Sequence, residues 1–182
     1  DPEFETRPVI GKTISRIYRD TRFSRDKSLY RDTMWLIFKR PSEDWKLEPG
    51  YFFEISPEWY RYGMGFYFTP KEAMDRLRQV IDDDSDKFLK LAGSCLSPIP
   101  FQVEGDKYKR AIGGNKSPEI LEWYQRKNIY IMMTRKTDSL LFSRALLDEL
   151  VQGFIQLKPM YDFMWWMKSG TPQSPWLLGD TP

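Results

Sequence analysis

The chain contains no histidine and only one cysteine, Cys95. Without His, neither Ser–His–Asp nor Cys–His catalysis is possible, and the usual zinc sites are excluded. One Cys rules out an intrachain disulfide and fits a reducing compartment, so a cytoplasmic location is expected. Cys95 lies between Ser94 and Leu96 with no sign of activation, and it reads as a buried or incidental thiol. No apolar run approaches the roughly 20 residues of a membrane helix, so no membrane partner is expected. No signal-peptide pattern opens the chain. There is no Gly-rich phosphate loop of the Walker or dinucleotide kind; Gly63-Met64-Gly65 and Gly113-Gly114-Asn115 read as turns. The acidic run at 82–86 lacks EF-hand spacing and reads as a solvated helix junction. Neither a cofactor nor a metal site is therefore expected.

What remains is aromatic and locally basic. Aromatics make up 16% of the 182 residues and the apolar total is 41%, which indicates a folded globule. A chain this long buries roughly 70% of its unfolded surface and needs no covalent staples. The net charge of +2 is uneven. Residues 12–40 hold nine Lys/Arg and three Asp/Glu, a balance of +6, so the rest sums to −4. Positive charge gathered in one place suits a site better than a general nucleic-acid surface.

That charge centres on residues 16–30, where Arg16, Arg19, Arg22, Arg25 and Lys27 face Asp20 and Asp26, with Tyr18, Phe23 and Tyr30 interleaved. Two readings compete. In one, the acids and cations form an ion-pair network that pins a hairpin. In the other, Arg16, Arg19, Arg22 and Lys27 form a cradle for a phosphate or carboxylate, and Arg25 is a surface charge. A surplus of five cations over two acids favours the cradle, because a structural network should be nearly balanced. Asp20 or Asp26 would then be the nearby base and Tyr30 a proton donor, if there is catalysis at all. Arg126 and Lys127, just before a late strand, could complete the site. Lys107, Lys109, Arg110 and Lys116, in a long loop, could close over the same anion or be wet surface, and the surface reading is favoured slightly. Trp59, Tyr60 and Tyr62 are candidates for a pocket rim or for packing. The expected ligand is an anionic small molecule; a nucleic-acid or acidic-protein module and a purely structural motif are the alternatives.

The pattern predicts α+β: an antiparallel sheet of about five strands covered by intervening and C-terminal helices, in one domain over 1–182. Strands are expected at 13–20, at 33–40 as an inner strand, at 51–56, at 64–68 after a Tyr/Gly-rich turn, and at 128–133. Thr69, Pro70 and Glu72 predict a capped helix with Ala73, Met74, Leu77, Val80 and Ile81 on its apolar stripe. A shorter helix is expected at 87–91, mostly loop over 93–118, and a short helix from Ser117-Pro118. Ser143 is expected to cap a long helix carrying Leu147, Leu150, Val151, Phe154 and Leu157, broken or kinked at Pro159. An irregular tail is expected from Ser169.

Residues 16–30 also resemble a bacterial family known as domain of unknown function 2461. Its hallmark is Arg-x-x-Arg-Asp-x-Arg-Phe, then an acidic or amide residue, Lys and Tyr. Arg16, Arg19, Asp20, Arg22, Phe23, Asp26, Lys27 and Tyr30 occupy those places. Pro49-Gly50-Tyr51, Gly63-Met64-Gly65, Pro70, Arg78, Ile81, Gly105-Asp106, Lys109-Arg110 and Arg126-Lys127 also match. The chain departs from the pattern at Lys116-Ser117, where the resemblance implies a His before Pro118. It also implies a helical N-terminal segment ahead of the motif, which this sequence lacks. The resemblance implies a shared fold and site, with no established activity.

Overall fold

The computed structural model describes residues 2–171 and Trp176. Five strands form one antiparallel sheet: β1 (Met34–Phe38), β2 (Pro49–Ile55), β3 (Trp59–Phe66), β4 (Gln102–Glu104) and β5 (Tyr130–Lys136), in the order β1-β2-β3-β5-β4. Four helices accompany them: α1 (Lys71–Asp83), α2 (Ser85–Leu96), α3 (Pro118–Tyr124) and α4 (Ala145–Ser169). This is the α+β architecture expected.

Alternation along β3 sets the layers. Tyr60, Tyr62, Met64 and Phe66 are all buried, while Trp59, Arg61, Gly63 and Gly65 point to the opposite face. The buried side meets α4 through Leu157, Met160, Phe163 and Met164, and α1 through the five residues of its predicted stripe, all buried. That stripe repeats at helical spacing, which is why it was readable.

Several expectations change. Residues 13–20 are not a strand. Only Ile14 bridges to Leu36, and the Ser15 hydroxyl accepts the Trp35 N–H at 3.0 Å in place of a ladder carbonyl. β1, apolar on both faces, is the outermost strand and not an inner one. The Tyr/Gly-rich stretch 59–63 lies within β3. Gly63 and Gly65 are there because a Cβ at either would collide with β5, at the Ile131 carbonyl or at Tyr130.

Helix ends also differ. Thr69 does not cap α1; Pro70 takes that place, and the Thr69 hydroxyl accepts the Ile129 N–H at 3.0 Å. Asp84 caps α2 by accepting the Lys87 N–H, and α2 runs longer than 87–91. Ser117 does cap α3. Arg144, not Ser143, precedes α4, since the Ser143 hydroxyl donates to the Leu140 carbonyl. α4 continues through Pro159 unbroken. Pro159 is on the exposed side, where the Ile155 carbonyl it deprives of a donor can meet solvent. Of the expected tail, residues 172–175 and 177–182 lie outside the described residues. Among the described residues no helix is long and apolar enough to cross a membrane.

Candidate functional site

Beyond Ser15 the chain leaves β1 and pairs with itself. The Arg19 N–H donates to the Leu29 carbonyl and the Arg31 N–H to the Ile17 carbonyl, around a bridge between Tyr18 and Tyr30. The two tyrosine rings lie 5.5 Å apart. Residues 20–28 form the tip of this hairpin, and its own polar groups hold it. Asp20 accepts the backbone N–H of Arg22 and pairs with its guanidinium at 2.6 Å. Asp26 accepts the Ser28 N–H at 2.9 Å and pairs with Arg19. The Lys27 ammonium donates to the Thr21 carbonyl at 2.8 Å. Both acids form local turns of the kind Asp favours.

At the foot of the hairpin is a polar cleft of about 510 Å³, lined by Arg19, Asp26, Arg31, Asp32, Thr33, Trp35, Glu54, Trp59 and Arg61. Strand register builds its floor: Trp35 lies opposite Glu54, and Glu54 opposite Arg61, on one face of β1, β2 and β3. Arg61 pairs with Glu54 and sits over Trp59 at 4.8 Å. Arg31 sits over Trp35 at 4.9 Å. Arg31 differs from its neighbours. It has no carboxylate within ion-pair distance among the described residues, and its Nε is buried without a protein acceptor. That Nε is out of reach from the cleft; the Nη groups are not buried, donate to nothing among the described residues, and are the donors a bound acceptor could meet.

The acids near the hairpin are weak bases. The Arg22 guanidinium holds Asp20 at a pKa of about 2. The Ser28 N–H, then Arg19, lower that of Asp26. A proton acceptor at neutral pH needs the opposite shift. Neither Asp20 nor Asp26 is shifted in the direction a base at neutral pH requires.

The family that matches is described as "Conserved hypothetical protein (DUF2461)", and the match covers residues 1–163. The chain belongs to this family. No curated protein and no solved structure matches the chain.

Within this DUF2461 chain, the residues singled out from sequence separate into three places. Arg19 and Asp26 line the cleft. Arg16, Asp20, Arg22, Lys27 and Tyr30 do not; all five are exposed along the hairpin. Arg126 and Lys127 precede β5 beside β4, at the opposite edge of the sheet from β1, and do not join the cleft. Arg126 is only 5% exposed and donates to the carbonyls of Val103, Gly105 and Glu122, so it ties the β4 loop to α3. The nearby basic cluster is also engaged locally: Lys107 pairs with Glu122 at 2.6 Å and Lys116 with Asp82 at 2.5 Å. Of the aromatics proposed for a rim, Trp59 lines the cleft, while Tyr60 and Tyr62 are fully buried.

Sequence reasoning missed Arg31, Asp32, Trp35, Glu54 and Arg61. The signal for three of them was available. In Arg31-Asp32-Thr33-Met34-Trp35 the charges directly follow the motif, and because 31–33 lie outside β1 both Arg31 and Asp32 reach the cleft that Trp35 floors. Glu54 and Arg61 needed the β2–β3 register.

A larger cleft, of about 630 Å³, lies between the N-terminal segment, β1 and α4, with Phe38, Tyr51, Phe154 and Tyr161 among its walls. It is mainly apolar, and its rim charges pair with each other, Arg40 with Glu3 at 2.8 Å and Lys158 with Asp162 at 2.5 Å. Size alone does not make it the better candidate for binding a charged group. Among the described residues no group of three or more His, Cys, Asp or Glu is placed to hold a metal.

Proposed function

We propose that the protein binds an anionic small molecule, bearing a phosphate or a carboxylate, in the cleft at the foot of the hairpin. One observation carries this reading: Arg31 lines the cleft, stacks on Trp35, has no acid partner among the described residues, and its unburied Nη groups have no acceptor among them. Stacking fixes the guanidinium plane so that little side-chain freedom is lost on binding. Arg19 and Arg61 flank it but are already occupied by Asp26 and Glu54, so they orient and Arg31 anchors. A cytoplasmic location forms part of the proposal, supported by the unpaired, buried thiol of Cys95.

The test is a thermal-shift panel of nucleotides, sugar phosphates and small carboxylates. At about a hundredfold excess over Kd, a true ligand raises Tm by on the order of 5 °C. That rise should disappear in Arg31→Gln. A flat response across the panel, or one that Arg31→Gln retains, overturns the reading.

A second reading has its own observation. Phe23 is 95% exposed at the hairpin tip, beside Arg22 and Arg25, which suits a surface for nucleic acid or an acidic protein. Binding of that kind weakens steeply with salt, whereas a ligand held by directed hydrogen bonds in a cleft responds much less. Under either reading the ion pairs of residues 19–26 serve to hold the tip.

A further inference from the structure

We infer that the ligand of the cleft is a zwitterion, carrying an ammonium group as well as its anion: an amino acid or an amino-bearing phosphate. The inference rests on Arg31 as the anion anchor and concerns what else the ligand must carry.

The cleft is lined by three guanidiniums, from Arg19, Arg31 and Arg61, and three carboxylates, from Asp26, Asp32 and Glu54. Two pairs are closed within the protein, Arg19 with Asp26 and Arg61 with Glu54. Arg31 and Asp32 are left, each without an ion-pair partner among the described residues. Among the described residues, the only side-chain hydrogen bond to the Asp32 carboxylate comes from the Thr33 hydroxyl, which donates to it at 3.3 Å.

A bare anion would satisfy Arg31 but would enter a cleft already lined by three carboxylates, with Asp32 uncompensated. A ligand that is only a cation would leave Arg31 unmatched. A ligand with both charges, separated by a short carbon chain, completes both groups and leaves the cleft neutral. The ammonium would meet Asp32 on the exposed side of the cleft through a charge-assisted hydrogen bond, while the anion meets the half-buried Arg31.

The experiment compares matched probes by calorimetry: propionate against 3-aminopropionate, and ethyl phosphate against phosphoethanolamine. The members of each pair share a carbon chain and differ in the ammonium. In the wild-type chain the ammonium-bearing member of at least one pair should bind about tenfold more tightly, the worth of one hydrogen bond to a charged group. Which pair responds identifies the anion as carboxylate or phosphate. Asp32→Asn should bring the two members of that pair within about twofold of each other, while Arg31→Gln should abolish binding of both. Equal binding within each pair, or a preference that survives Asp32→Asn, overturns the zwitterion and leaves anion binding standing. No binding by any probe overturns both.

Discussion

Asp20 and Arg22 show why the motif's charge surplus does not make a cradle. Residues two apart in a turn reach each other more readily than they reach a distant ligand. The Arg22 guanidinium takes both Asp20 oxygens, at 2.9 and 2.6 Å, and the pair remains exposed. The consequence can be measured. The carboxyl of Asp20 is lowered from 3.8 to about 2 by its hydrogen bonds to Arg22. A carboxyl depressed in the folded state stabilises that state above the unfolded pKa, near 4, and the contribution fades as pH falls toward about 2. An NMR titration of Asp20 should give a midpoint well below 3.8 in the wild-type chain and a higher one in Arg22→Gln, where the backbone N–H of residue 22 alone still lowers it. A wild-type midpoint near 3.8 would mean that the pair does not persist in solution. Arg31 is the opposite case. Its stacking partner Trp35 lies four positions along the chain, and no acid among the described residues pairs with it.

At the scale of elements, what could be read from sequence divides by the range of the interaction. The stripe of α1 and the Ser117 cap of α3 are local, and both appear as expected. Boundaries set by distant partners were not readable. Thr69 gives its hydroxyl to Ile129, 60 residues away, and so does not cap α1. Gly63 and Gly65 look like a turn in sequence, yet they serve the close approach of β5. Arg126 belongs to the same class. Basic and next to Lys127, it reads as a ligand-binding cation, and register makes it a buried strut for the β4 loop. Arg126→Met should therefore lower stability by about 1–3 kcal/mol in urea unfolding, because the carbonyls of Val103, Gly105 and Glu122 all lose the same buried donor. Ligand binding by the folded fraction should be unchanged. A loss of binding without a loss of stability would place Arg126 in the site after all.

Across the whole molecule, the sheet keeps two functions apart. Its helix-covered face holds the core, with Tyr60, Tyr62, Met64 and Ile131 fully buried. Its other face, at the end near Ile55 and Trp59, carries the row Trp35, Glu54 and Arg61 that the hairpin walls off into a cleft. The local excess of positive charge seen in the sequence leads to the hairpin that walls this cleft. The proposed anchor lies one position beyond the segment that drew attention: Arg19 and Arg22 are taken by Asp26 and Asp20, whereas Arg31, just ahead of β1, pairs with no acid among the described residues. The most direct measurement follows the arginine Nε–H resonances during titration with phosphoethanolamine, 3-aminopropionate and their ammonium-free counterparts. The Arg31 Nε–H should move more than any other and saturate with the binding isotherm. An Arg31 resonance that stays still at saturating probe, or shifts confined to Arg22 and Arg25 at the hairpin tip, would contradict a ligand site at the foot of the hairpin.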